Sequence, residues 1–313
     1  MFVEDFVGEW NSNPLSRRRF TIRNPEEIDA LKSSKVIDAV IINTAKGLDV
    51  EGVGGADANA ARLRMVQAAA HDPEARKKAI DSVNNSVAAL KDLMGDVADT
   101  PISVENMAPV ADELVRTMQT NPLVLLSMTR LKSKDATTFI HSVGVSALMI
   151  QLSQYLGMDD ATVQLMGVAG LLHDIGKTKI PDEVLNKNGK LTDEEFAMIR
   201  SHPVIGHELL LKHADVPRVV LDICRHHHER LDGTGYPDKL DARSIGLQVR
   251  ISTICDVYDA VTSIRPYKKP WTHADAVAWM LAQRGAFDRE LLHEFFSSME
   301  QVLAPAKRAA AAT

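Results

Sequence analysis

His173 and Asp174 stand side by side at the end of the apolar run 165–172, just ahead of Gly176 and Lys177. An imidazole and a carboxylate placed this way offer a borderline nitrogen donor and a hard oxygen donor able to bridge. Such a pair suits divalent transition metals better than magnesium alone. A buried helix carrying Val168, Leu171 and Leu172 would hold its last residues rigidly, and Gly176 would let the chain turn and present the pair. Of eleven histidines, eight fall between His141 and His228. His141 shares a helix face with Val145, Leu148 and Leu152, so its ring points inward, where an unpaired polar group is costly. His202 precedes Pro203 at a helix start. His226, His227 and His228 close another helix, and since helical neighbours diverge by about 100°, two of them converge on one cavity only where the helix ends. Asp256 is a carboxylate within the apolar stretch 254–260, and a charge there needs a partner or a cation. These coincidences on separate helices read as one metal-binding cluster.

The elements that must carry these side chains are helices. Spacings of three and four between apolar residues predict them near 104–119, 122–132, 135–156, 160–173, 192–200, 203–213, 216–228, 244–263, 273–284 and 288–303. Ser103 and Asn121 are expected caps, Thr192 to Glu195 a capping box, and Gly157 a C-terminal stop. A further helix, restarting at Asp72-Pro73-Glu74, aligns Ile80, Val83, Val87 and Leu90. It either packs within the fold or pairs with a second copy as a homodimer. Residues 1–58 differ: Met1-Phe2-Val3, 19–22 and 36–42 are short β-rich runs, and Asn24-Pro25 with Glu27 looks like a helix start. The basic cluster Arg17-Arg18-Arg19 there reads as a solvated strand edge or a phosphate contact. Residues 51–57, with three glycines, read as a linker. The expected organisation is a small α+β module (1–58), connecting helices (59–120), an all-α helical bundle (121–305) and a tail (306–313).

Composition narrows the partners. The 36 basic and 42 acidic side chains leave a net charge of −6, with no run of five like charges. No global attraction to a nucleic-acid polymer or an anionic membrane follows, so an anionic substrate must be held by local cations. Cys224 and Cys255 lie on apolar helical stretches and read as small buried hydrophobes. No apolar run reaches the roughly 18 residues of a membrane span, and the N-terminus lacks a signal peptide's basic start. A cytoplasmic protein is the expectation.

His173-Asp174, with His141 upstream and Asp256 downstream, resembles the HD phosphohydrolase superfamily. The run His227-His228-Glu229-Arg230, followed by Asp232-Gly233-Thr234-Gly235-Tyr236-Pro237, is similar to the signature of its HD-GYP branch, whose members are bacterial cyclic di-GMP phosphodiesterases. Lys177, Ile180-Pro181, Lys187 with Leu191-Thr192, His202-Pro203 with Gly206, and Arg265-Pro266-Tyr267 extend the match over residues 120–300. Trp10, Phe20-Thr21-Ile22 and Lys46-Gly47 resemble a module of unknown function often found ahead of HD-GYP domains.

The resemblance implies an HD-type bundle that ligates metal through His141, His173, Asp174, His202, His227, His228 and Asp256. Asp174 would bridge two ions, one completed by His141, His173 and Asp256, the other by His202, His227 and His228. His226 stays outside the set. Thr137 stands where some relatives place a glutamate for a third ion, so two metals are expected. Five histidines to two aspartates favour iron or manganese, with nickel, cobalt or zinc also compatible. Lys177, Arg265 and Lys268 would contact phosphate, with the register at Lys268 left open by Lys269. Tyr236 either touches a guanine or packs. The activity implied is hydrolysis of cyclic di-GMP to pGpG, or onward to GMP, with Asp174 and Lys177 at the reaction centre. The alternatives are another cyclic dinucleotide such as 3',3'-cyclic GMP-AMP, or a non-catalytic sensor with the Gly-Tyr-Pro loop or the N-terminal module as the surface for a protein partner.

Overall fold

The computed structural model describes residues 2–8, 20–22, 26–27, 30, 37–42, 73–95, 104–130, 137–187, 189–213, 215–263 and 271–311. The chain divides into two compact units, Met1–Arg64 and Met65–Thr313. In the first unit three strands pair antiparallel in the order β2-β1-β3: β1 (Phe2–Gly8), β2 (Phe20–Thr21) and β3 (Ile37–Ile42). Val3 faces Phe20 on one side and Ile42 on the other, so each β-rich run of the sequence becomes a strand. The Arg17-Arg18-Arg19 cluster, the helix start at Asn24-Pro25, the glycine-rich linker 51–57, the cap position Ser103 and the start of the helix expected from residue 135 lie outside the described residues.

The described elements of the second unit are helices, apart from one isolated bridge between Asp232 and Asp241. In chain order they form α1 (Pro73–Gly95), α2 (Val104–Thr120), α3 (Pro122–Thr129), α4 (Thr137–Tyr155), α5 (Asp160–Leu172), a 3-10 turn (Ile175–Lys179) and α6 (Asp182–Leu185). Then come α7 (Asp193–Arg200), α8 (His202–Leu211), α9 (Arg218–His226), α10 (Leu247–Thr262), α11 (His273–Ala282) and α12 (Arg289–Ala311). The 3-10 turn and the single-turn α6 were not foreseen, because elements that short carry no apolar period. Among the described residues no helix is long and apolar enough to cross a membrane.

Local chemistry explains most boundaries. Thr192 accepts from the Glu195 amide while the Glu195 carboxylate accepts from the Thr192 amide, closing the expected capping box on α7. Asp159 caps α5 through the Thr162 amide at 2.9 Å. Gly157, at φ +71°, takes the left-handed conformation that lets the Met158 amide reach back to the Ser153 carbonyl and end α4. At Asn121 the expectation fails in detail: it stands at the N-cap of α3 but makes no side-chain cap bond, and Pro122 at the first position defines the start instead.

The core sits where α4 runs along α5, α5 against α2, and α10 against α4. Leu114, Leu125, Met149, Leu152, Met166, Leu171, Leu172, Tyr258 and Phe295 are fully buried there. Cys224 and Cys255 are buried free thiols, as small hydrophobes should be. Ser146 Oγ donates to the Gly167 carbonyl at 2.7 Å, tying α4 to α5. The helix carrying His141 is thereby held against the helix that ends at His173.

Candidate metal centre

His141 projects from α4, and His173 and Asp174 follow the last turn of α5. His202 opens α8, His227 caps α9 with His228 next, and Asp256 lies on α10. Five separate chain segments therefore deliver seven side chains to one place, six of them in two groups. Ligand atoms of His141, His173 and Asp174 all lie within 4.8 Å of one another, and so do those of Asp174, His202, His227 and His228. Asp174 belongs to both. Its Oδ1 lies 3.1 Å from His202 Nε2 and 3.7 Å from His227 Nε2, and its Oδ2 lies 3.4 Å from His173 Nε2 and 3.6 Å from His141 Nε2. Asp256 Oδ1 stands 3.0 Å from His141 Nε2, and its Oδ2 3.6 Å from His228 Nδ1.

The backbone decides which ring nitrogen faces the cavity. Nδ1 of His173 meets the Gly170 carbonyl at 2.8 Å, that of His202 the Ile199 carbonyl at 2.7 Å, and that of His227 the carbonyls of Ile223 and Cys224 at 3.0 and 3.1 Å. A carbonyl only accepts, so each Nδ1 carries the proton and each Nε2 presents a lone pair inward. His173 Nε2 and Asp174 Oδ1 are buried and make no hydrogen bond. Orphaned acceptors in a buried pocket are costly unless a cation satisfies them. The donor set, imidazole nitrogens with carboxylate oxygens, fits divalent metal ions.

The electrostatics of Asp174, Asp256, His227 and His228 run the same way, while at His173 burial is outweighed by Asp174 and Asp256, which raise its pKa. Burial opposes ionisation of Asp174, but Lys177 and His173 beside it outweigh that and hold its pKa well below the usual carboxylate value. Asp256 is likewise held down, by the His141 bond and the neighbouring imidazoles against its burial. His227 is pushed well below its ordinary value by burial and by three neighbouring imidazoles. His228 is pushed down to about 3, chiefly by burial, against the pull of Asp256. These two rings stay neutral, the form that ligates. Lys177 Nζ is 2.5 Å from Asp174 Oδ2, at the exposed side of the cluster.

Asp259, within the stretch 254–260 but given no role from the sequence, takes part directly: its Oδ2 lies 2.6 Å from His141 Nδ1. It does for His141 what main-chain carbonyls do for the other rings. The approach depends on Gly144, where a Cβ would fall 2.5 Å from Asp259 Oδ1. The signal was present, since Asp259 lies one helical turn beyond Asp256 on the same apolar helix. Asp259→Ala is expected to weaken metal binding by about 10- to 100-fold, measured by competition with a chromophoric chelator. Asp259→Asn, which keeps an acceptor, should recover part of the loss. Equal affinity in all three proteins would deny Asp259 this positioning role.

Glu229 is buried, and its carboxylate accepts from the amides of Asp238, Lys239 and Leu240 at 2.7, 2.9 and 3.1 Å. It thereby anchors the loop that carries Tyr236. That loop packs Tyr236 on His228, with ring centroids 4.7 Å apart at 28°, and under the Arg200 guanidinium at 4.3 Å. Glu229→Gln would turn an N–H donor toward backbone donors, at a cost of about 1–3 kcal/mol. The expected readout is a lower unfolding midpoint with faster hydrogen exchange at residues 238–240. Unchanged exchange there would remove the anchoring role.

His226 turns away from the cluster to Asp238, at 2.9 Å. Arg265 and Lys268 lie outside the described residues. Arg200, which sequence reasoning passed over, stands at the rim of the site.

The comparisons with known proteins agree with this geometry. A family model described as HD domain matches residues 113–291, and a domain of unknown function, DUF3391, matches residues 1–107. The chain is 39% identical over 307 residues to a protein of Pseudomonas aeruginosa named cyclic di-GMP phosphodiesterase, covering 96% of this chain and 74% of that one. It is 43% identical over 150 residues to a cyclic di-GMP phosphodiesterase response regulator of Xanthomonas campestris, covering 45% of this chain and 40% of that one. A 3'3'-cGAMP-specific phosphodiesterase of Vibrio cholerae is 32% identical over 175 residues, covering 55% and 34%. An HDG"Y"P protein from Bdellovibrio bacteriovorus shares the fold at a TM-score of 0.60 and 19% identity, covering 96% of this chain and 95% of that one. With its His-Asp pair, its His-His-Glu element and its Gly-Tyr-Pro loop in place, the chain belongs to the HD domain family, with the DUF3391 match ahead of it.

Proposed function

We propose that residues 121–305 form a metal-dependent phosphodiesterase that opens cyclic di-GMP to pGpG. The single observation that carries this is the pair of donor groups sharing Asp174, with His173 Nε2 and Asp174 Oδ1 buried and without hydrogen-bond partners. His141, His173 and Asp256 would hold one ion and His202, His227 and His228 the other, with Asp174 shared. Iron or manganese suits five imidazoles and two carboxylates, and nickel, cobalt or zinc is compatible. When bound, such a pair of ions lowers the pKa of a water and neutralises the phosphoryl oxygens for in-line attack. Lys177 holds Asp174 in place and offers a cation to a phosphate; Arg265 and Lys268 would add two more. Burial, Asp256 and Asp174 raise the pKa of Tyr236, so its hydroxyl stays a neutral donor beside the cluster.

The relatives named for cyclic di-GMP and for 3'3'-cGAMP support a cyclic dinucleotide and leave the base preference to this chain's own pocket. Residues 1–58, read from the sequence as an α+β module, would carry regulatory input in a cytoplasmic protein. The test loads the full chain anaerobically with iron(II) or manganese(II) and follows cyclic di-GMP and 3',3'-cyclic GMP-AMP side by side by chromatography. Expected are linear pGpG from cyclic di-GMP and loss of turnover on chelation. Intact dinucleotides in every metal form, alongside a working control enzyme, would overturn the reading.

A further inference from the structure

From the metal cluster outward, four side chains stack in sequence. The His228 ring lies on Tyr236, Tyr236 lies 4.3 Å under the Arg200 guanidinium, and Arg200 lies 5.7 Å from the centre of the Phe196 ring. Arg200 is half-buried, while Phe196, 52% exposed, presents a flat apolar surface to solvent at the mouth of the site. Among the described residues no carboxylate lies within 4.0 Å of the Arg200 guanidinium, and no acceptor takes a hydrogen bond from it. A guanidinium held against an aromatic ring with its donors unspent is built to receive something.

Its position is fixed by the site itself. Arg200 is the last residue of α7, and the Ile199 carbonyl beside it is the acceptor that orients His202. Ser201 Oγ donates to the Met198 carbonyl at 2.6 Å and closes that helix end. Any shift of Arg200 would therefore disturb a ring of the cluster.

What Arg200 receives follows from chemistry. The reacting phosphate belongs at the cluster and Lys177, two stacking steps inward. Beyond it a nucleotide carries ribose and base, and a base needs a flat apolar partner and an edge partner. Phe196 supplies the flat ring, since Tyr236 already lies between His228 and Arg200. Arg200 supplies a two-pronged donor with no acceptor, which matches the O6 and N7 acceptors of guanine. Adenine offers N7 and an N6 donor, so Arg200 satisfies only half of that edge. We propose that Arg200, backed by Tyr236 and Phe196, reads the O6/N7 edge of a guanine and sets the preference for guanine over adenine in the substrate. This rests on the cyclic-dinucleotide reading above.

The experiment compares metal-loaded wild type, Arg200→Ala and Arg200→Lys on cyclic di-GMP, cyclic di-AMP and bis(p-nitrophenyl) phosphate, a diester without a nucleobase. Arg200→Ala is expected to lower kcat/KM for cyclic di-GMP, relative to the baseless diester, by about 10- to 100-fold, mainly through KM. The cyclic di-GMP to cyclic di-AMP ratio should fall with it. Arg200→Lys keeps the charge but not the fork, and should fail to restore that ratio. Equal losses on both dinucleotides, or restoration by lysine, would make Arg200 a phosphate contact and overturn the proposal. So would an unchanged ratio. If the wild type cleaves the baseless diester but opens no cyclic dinucleotide, the functional reading itself falls, and this inference falls with it.

Discussion

Replacing Asp174 by asparagine is expected to abolish turnover of cyclic di-GMP and to strip bound metal from the protein. Asp174 is the residue common to both donor groups, with one oxygen toward His202 and His227 and the other toward His141, His173 and Lys177. An amide of the same shape replaces one anionic oxygen with an N–H donor and removes the charge that holds the imidazoles and Lys177 around it. Loss of several kcal/mol of charge stabilisation is on the order of a thousandfold or more in rate. Two measurements separate this from misfolding. Elemental analysis should show the variant depleted of metal, and a chelator that lowers the thermal midpoint of the wild type should leave the variant's midpoint where it is. A variant that keeps both its metal and its turnover would remove Asp174 from the centre of the site.

Gly176→Ala is expected to destabilise the fold by about 3 kcal/mol or more, at the upper end for a single added methyl. A Cβ at Gly176 would overlap the His202 carbonyl oxygen and come within 2.6 Å of the Gly206 amide nitrogen. Both neighbours are backbone of α8, and backbone cannot swing aside as a flexible side chain does. The 3-10 turn would have to move off α8, separating His173 and Asp174 from His202. A lower denaturation midpoint together with weaker metal binding is the expected pair of results, and wild-type values for both would contradict it. Sequence reasoning singled out Gly176 as a turn-maker. The structure gives a different reason, since its φ is not in the left-handed region and the requirement is clearance for a neighbouring helix.

That difference marks what was legible. Helices α4, α5, α7, α10 and α11 are found within a few residues of their expected bounds, because apolar spacing and the Gly157 and Thr192 signals are local and act through the chain's own backbone. The strands of the first unit were legible for the same reason. Asn121 stands at the expected N-cap but makes no side-chain bond there, and Pro122 at the first helical position marks the start of α3. Asp259 and Arg200 went unassigned because their meaning lies in what they touch. His141 is 118 positions from Asp259, and Arg200 stacks on Tyr236, on a loop after another helix.

The sequence by itself determined the helical elements, the family and the residue types of a candidate site for divalent metal. A buried charge must be answered and an apolar period must be covered, wherever the answer comes from. The resemblance already implied a shared Asp174, and the tertiary structure supplied the distances that put it in both donor groups. That structure alone showed that main-chain carbonyls and Asp259 turn the histidine rings, and that a column of stacked side chains leads out from His228 to Arg200 and Phe196. Those are distances between segments far apart in the chain, and they exist only once the helices have packed.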